Sequence, residues 1–215
     1  MKVNYQGQSV EVPRVFCIGR NYVAHAHELG DDVPDNPIIF SKFSTSLVTN
    51  EIKEIKYPSF GDELHYETEL VVLIGKEGNA ESEDEAQGFI EAVSLGFDLT
   101  MRDVQNKLMA NGLPWEVAKG FDNSALIGDF VSARNLDLSK FEYTGLINDK
   151  VCQEGDTQLM IFSITQLIYE LSKVWKLRIG DLIYTGTPAG VGEVRRGDKL
   201  TAKAKEIGEF SWNIV

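Results

Sequence analysis

The chain has 215 residues, 43% of them hydrophobic and 25% charged, which excludes a disordered or fibrous protein and leaves one large domain as the expectation. Lys+Arg 21 against Asp+Glu 33 gives a net charge of −12. Such a field repels phosphate backbones, so nucleic acid is not an expected partner. No stretch reaches the length of a membrane span, and the start MKVNYQGQSVEVPR lacks the apolar region of an export signal. The expected setting is cytoplasmic, away from membranes, with Cys17 and Cys152 as thiols.

In chain order, residues 2–12 read as a hairpin turning at QGQ, and VFCIG at 15–19 as a short buried strand. NYVAHAHEL, 21–29, predicts two turns of helix flanked by breakers, a detachable surface piece. Strands follow at 37–43, 51–57, 65–75 and 91–100, then a helix over 102–112 stopped by Asn-Gly. A hairpin over 141–155 turns at Asn148-Asp149. The segment 163–177 is a helix opened by Ser163 and Gln166, with Ile164, Leu167, Ile168, Leu171, Val174 and Trp175 on one face. DLIYTG and 199–215 return to strands. Many strands with few helices, out of βαβ alternation, predict an α+β fold.

Two strands carry acids where a core is expected. In HYETELVVLIG, alternation puts His65, Glu67, Glu69, Val71 and Leu73 on one face. Two carboxylates about 7 Å apart repel by about 2 kcal/mol at an effective dielectric of about 20. Either that half of the strand is solvated, or the pair is compensated by protonation, a base or a cation. In EAVSLGFDLT, Asp98 ends a row of small residues, Ala92, Ser94 and Gly96, against which something packs closely. Its other reading is a helix cap, although Thr100 suits that role better. Three carboxylates favour Mg²⁺, Mn²⁺ or Ca²⁺ over zinc, with His65 beside the site rather than in it.

Further candidates are weaker one by one. The Gly-rich TGTPAGVG, 185–192, offers backbone N–H groups and Thr187 to a carboxylate, or is an ordinary turn. Lys119 and Lys42 sit in apolar stretches where a lysine either needs an anion or snorkels to the surface. His25 and Glu28 share a helix face, as a general-base pair or a surface ion pair.

Seven segments in order resemble the fumarylacetoacetate hydrolase family: GRNYVAHAHE (19–28), FSKFST (40–45), HYETEL (65–70), GFDLTMRDVQ (96–105), GLPWEVAKGFD (112–122), MIFS (160–163) and GDLIYTGTPAGVG (180–192). The chain is similar to the short branch of acylpyruvases and oxaloacetate decarboxylases. That resemblance implies a β-rich mixed roll or sandwich, a single catalytic domain over 1–215 with a hairpin at 2–14 and a lid at 21–36, and a homodimer. It implies Mg²⁺ or Mn²⁺ on Glu67, Glu69 and Asp98, a water-activating pair in His25 and Glu28, and an active-site lysine in Lys119. Arg102, Gln105 and Thr187 match positions at the substrate's oxalyl end, and Arg20 and Lys42 join them as substrate-binding candidates. Phe43 departs from the pattern, since close relatives have proline there, which puts the loop path near Lys42 in question.

The implied reaction is C–C hydrolysis of an acylpyruvate through a pyruvate enolate stabilised by the cation. Oxaloacetate decarboxylation or tautomerisation, and isomerisation of a hydroxymuconate-type acid, share that enolate and are the alternatives. A non-catalytic, metal-stabilised binding protein is the rival from another class; it accounts for the three acids but not for Lys119 or the His25–Glu28 pair.

Overall fold

The computed structural model describes residues 1–215. Its centre is an eight-stranded mixed sheet. Along its main path the strand order is Ile38–Lys42, Val15–Gly19, Leu182–Tyr184, Thr68–Ile74, Ile90–Asp98, Ala125–Ile127 and Leu47–Thr49, and Val131–Ser132 pairs with Ile90–Asp98 as well. Thr68–Ile74 and Ile90–Asp98 lie antiparallel at the middle, with Glu69 opposite Gly96. A five-stranded sheet runs Lys150–Asp156, Glu142–Ile147, Lys199–Ala204, Gly208–Ile214 and Glu54–Ile55. Its Trp212 meets Phe97 edge-to-face at 5.9 Å. The α+β expectation holds.

Alternation along the two central strands separates two cores. Leu70, Val72, Ile74, Val93, Leu95 and Phe97 join the larger core with Leu200, Phe210 and Trp212. Val71, Leu73 and Ala92 turn the other way, toward Val15, Cys17, Leu182 and Tyr184. The small-residue row on Ile90–Asp98 makes room for Tyr184. A Cβ on Gly96 would collide with the Leu126 carbonyl oxygen and lie 3.1 Å from the Tyr184 ring.

Local signals set several elements. Asn148 and Asp149 both take positive φ, 50° and 63°, as the two-residue turn of the hairpin requires. Ser163 caps the helix Ile164–Val174 by accepting the Gln166 N–H at 3.1 Å. That helix buries Ile164, Leu167, Ile168 and Leu171, but Val174 is 64% exposed. Trp175 has already left the helix for extended backbone and packs on Phe16.

Four further expectations are corrected. The run 65–75 is not one strand: it breaks at Glu67 into Leu64–Tyr66 and Thr68–Ile74, and the first piece joins a separate three-stranded sheet with Thr100–Met101 and Gly192–Glu193. His65 therefore stands in another sheet from Glu69. Of 51–57 only Glu54–Ile55 pairs. Thr100 is no helix cap: the helix Arg102–Ala110 starts from Met101 without a side-chain cap, and the Thr100 hydroxyl turns back to the Asp98 carbonyl. The helix Val23–Glu28 is not a purely superficial piece, since Asn21, Tyr22, His25 and Ala26 are buried. No helix is long and apolar enough to cross a membrane.

Candidate active site

The break at Glu67 builds the site. The residue leaves the ladder of Thr68–Ile74, while its carbonyl still accepts the Asp98 N–H at 2.9 Å. Glu67, Glu69 and Asp98 come together with ligand oxygens within 4.8 Å of one another, all buried. The solvated-edge reading of the two glutamates is thereby replaced by a buried cluster that needs compensation.

Most of that compensation comes from three buried cations. Lys119 Nζ lies 2.6 Å from Glu67 Oε2 and 2.9 Å from Asp98 Oδ2. Arg102 Nη2 donates to Glu67 Oε1 at 2.5 Å, and its Nη1 donates to Gln105 Oε1 at 2.5 Å. Lys42 Nζ stands 2.7 Å from Asp98 Oδ1 and donates to the carbonyls of Leu99 and Lys119. Burial alone would raise Glu67, but Lys119 and Arg102 overcome it and hold the carboxyl below its usual range. Burial likewise lowers Lys119, yet Asp98 and Glu67 prevail and keep its ammonium above the usual value. Lys42 is held below its usual value by complete burial, despite Asp98.

Glu69 is left over. It forms no ion pair, and its hydrogen bond comes from the Gly186 N–H, 2.7 Å from Oε2. Burial, then the charges of Asp98 and Glu67, push its carboxyl well above the ordinary range. Three buried oxygen donors with one carboxylate short of positive charge fit a hard divalent cation, whose charge would settle Glu69 as an anion.

Glu67 and Lys119 reach the wall of a cavity of about 350 Å³, and Glu69 and Asp98 lie behind them. The same cavity is lined by His25, Glu28, Arg20, Arg102, Gln105 and Thr187. His25 Nδ1 stands 3.2 Å from Glu28 Oε2. This is no free surface pair: His25 is 3% exposed, and burial lowers its pKa below 6.5. Asn21 fixes the start of the helix by bonding the Phe162 N–H and carbonyl and the Thr185 carbonyl.

Two predicted substrate contacts are otherwise engaged. Lys42 does not line this cavity; it lies behind it, held by Asp98. The loop after Leu182–Tyr184 spends two of its N–H groups on the protein's own acids, Gly186 on Glu69 and Gly190 on Glu28. The Thr187 hydroxyl donates to the Thr68 carbonyl at 2.9 Å and accepts from Gln153 Nε2 at 2.7 Å. Gln153 also binds the Thr68 N–H and the Pro188 carbonyl, so it ties this loop to the carboxylate strand. Nothing marked it in the sequence except a glutamine on the inward side of a hairpin. The Phe43 departure leaves the chain path intact, because Phe43 adopts φ −68°, the angle a proline ring imposes. His65 also faces the cavity; its Nδ1 is 3.5 Å from Arg102 Nε, and burial with that guanidinium lowers its pKa to about 4.

Comparison with known proteins bears on this arrangement. The sequence pattern described as fumarylacetoacetate (FAA) hydrolase C-terminal matches residues 14–215. An oxaloacetate tautomerase of Escherichia coli is 38% identical over 202 residues, 92% of each chain. A mitochondrial oxaloacetate tautomerase of Bos taurus is 38% identical over 189 residues, 87% of this chain and 85% of that one. A fumarylpyruvate hydrolase from Pseudomonas aeruginosa, solved with Mn²⁺ and pyruvate, superposes with a TM-score of 0.95 at 35% identity, covering 100% of this chain and 95% of that one.

Proposed function

The chain belongs to the fumarylacetoacetate hydrolase family, and from that premise we propose that it is a divalent-metal-dependent hydrolase of acylpyruvates, cleaving them to pyruvate and a carboxylic acid. The observation that carries this reading is the His25–Glu28 pair on the wall of the cavity that Glu67 and Lys119 also line. A non-catalytic metal-stabilised protein has no use for a buried histidine aligned on a carboxylate that faces an open cavity.

Glu67, Glu69 and Asp98 would hold Mg²⁺ or Mn²⁺. When bound, the cation supplies positive charge to the 2-oxo acid end of the substrate, where the enolate develops. Arg102 with Gln105 and Lys119 orient that end. Glu28, aligned by His25 and the Gly190 N–H, takes a proton from water. The hydroxide adds to the distal carbonyl, and the bond from that carbon to the methylene breaks with its electron pair left on the methylene carbon. Glu28 returns the proton there, which completes pyruvate and frees the acid. The segment 21–36 acts as a lid that closes on the bound acid and excludes water. The whole chain, 1–215, works as one catalytic domain and assembles as a homodimer, so light scattering is expected to give twice 24.0 kDa.

A second reading is favoured by the relatives named oxaloacetate tautomerase. The same pair that activates water can move a proton between carbon and oxygen, and decarboxylation needs only the enolate. The test is a panel of acylpyruvates and oxaloacetate, assayed after chelation and again with Mg²⁺ or Mn²⁺. Acylpyruvate cleavage that appears with metal and vanishes without it is expected. Full activity after exhaustive chelation overturns the metal role, and turnover of oxaloacetate alone overturns hydrolysis.

A further inference from the structure

Phe40 and Trp115 line the active-site cavity and also a second cavity beside it. Their rings pack with centroids 5.7 Å apart and form the partition between the two. Lys119 Nζ stands 5.1 Å from the centre of the Phe40 ring, so the partition begins at the lysine of the site. Beyond it, a groove of about 770 Å³ follows the strand Ile38–Lys42, the free edge of the central sheet. More than half of its lining residues are hydrophobic, and it reaches down to Val15 and Phe16, both buried. Such depth, volume and lining are those of a small-molecule site rather than of a flat interface. The partition can move. Trp115 belongs to neither core, is half-buried, and precedes the short helix Glu116–Lys119 between exposed Pro114 and Glu116.

We propose that this groove binds the apolar tail of a long acyl group, admitted between Phe40 and Trp115 while the 2-oxo acid end stays at Arg102 and Lys119. This rests on the acylpyruvate reading and names the substrate class within it: unbranched acyl chains that outgrow the first cavity of about 350 Å³. The groove offers a charged tail no free cation. Arg14 is held by Asp181 and Lys42 by Asp98, and the remaining charge on its wall is the carboxylate of Glu116. A methyl-ended chain meets no such penalty and gains from each methylene that leaves water. The outer lip is Phe43, 60% exposed, at the position where close relatives have proline. This chain therefore extends the apolar wall with a ring of its own.

The test measures binding of 2-oxobutanoate, 2-oxooctanoate and 2-oxodecanoate to the Mn²⁺-loaded protein by calorimetry, with folding of each variant followed by thermal melting and size by light scattering. 2-Oxodecanoate is expected to bind roughly tenfold more tightly than 2-oxooctanoate, the usual worth of two buried methylenes. Ser41→Trp, an exposed position on the groove wall, fills the groove and erases the gain with length while 2-oxobutanoate binds as before. Phe43→Pro, which the backbone at that position accommodates, reduces the gain and spares 2-oxobutanoate. Affinity that does not rise with chain length overturns the proposal, and so does an equal weakening of all three acids by Ser41→Trp. A Ser41→Trp protein that falls from dimer to monomer while chain length has no effect gives the groove to a second copy of the chain, and overturns it too. If the length preference follows Ser41 and Phe43 while no acylpyruvate is turned over, the catalytic reading fails and the groove assignment stands.

Discussion

The Glu28 carboxylate accepts the Gly190 N–H with both oxygens, at 3.0 and 3.2 Å, across 162 residues of sequence. The same loop binds Glu69 through the Gly186 N–H. One short turn thus fixes a member of the base pair and a member of the carboxylate cluster relative to each other. Gly190 has φ +100°, and a Cβ there would collide with the Cys152 carbonyl oxygen.

Gly190→Ala is therefore expected to cost about 1–3 kcal/mol of stability and to lower hydrolytic kcat by roughly tenfold or more through Glu28. Chemical denaturation and steady-state rates read the two effects. Placed in a Glu28→Gln background, Gly190→Ala should lower kcat little further, because both changes disable the same group. Full additivity would separate the loop from the base.

Glu69→Gln separates folding from metal binding. Without metal, the buried carboxylate is penalised by burial and by Asp98 and Glu67. The neutral amide relieves that repulsion, so the apo variant is expected to melt above the apo wild type. Mn²⁺ should raise the melting temperature of the wild type and barely that of the variant. A variant that is less stable without metal, or equally stabilised by Mn²⁺, contradicts the assignment of Glu69 as a ligand.

Burial lowers His25 from 6.5, so the folded protein takes up its proton less readily than the unfolded chain. The unfolded state then binds more protons below pH 6.5, and the contribution of neutral His25 is present above that pH and lost as pH falls below it. Melting temperatures from pH 7.5 down to 5.5 should fall more steeply for wild type than for His25→Gln. The acid limb of kcat/KM is expected below pH 6.5 for the same reason. A limb above 6.5 would assign it to another group.

Much of the fold was legible because its signals are local. The Asn148-Asp149 turn, the Ser163 cap and the two faces of Ile90–Asp98 each follow from a few neighbouring residues. The break at Glu67 was not, since apolar alternation continues through it and only pairing with Thr100–Met101 and Gly192–Glu193 reveals a second sheet. The acids Glu67, Glu69 and Asp98 stood out as misplaced charges on apolar strands. Lys42 and Lys119 stood out too, as lysines in apolar stretches, but they are 77 residues apart in sequence and only the fold shows which anion each one meets. Thr187 was singled out for its hydroxyl, and the fold adds what the sequence did not show, that Gln153 from a distant hairpin donates to that hydroxyl.

Glu28→Gln separates hydrolysis from the other enolate reactions. The amide has the shape of the carboxylate, can still accept the Gly190 N–H through its oxygen, and cannot take a proton from water. Hydrolysis of an acylpyruvate requires that proton transfer before the C–C bond breaks, so its kcat should fall by roughly 10²–10⁴-fold, the usual worth of a general base. Loss of CO₂ from oxaloacetate requires no water and no base, so with Mn²⁺ present it should fall by roughly tenfold at most. Tautomerisation lies with hydrolysis, because it moves a proton and needs a group to carry it. His25→Ala should follow the same order at smaller size, since the imidazole aligns Glu28 without receiving the proton itself. Rates for the three reactions on wild type and both variants give the pattern. Hydrolysis that survives within a few-fold in Glu28→Gln removes the base role and returns 21–29 to an ordinary helix. An equal collapse of all three makes the pair a holder of substrate or lid, and oxaloacetate chemistry then becomes the better description of this site.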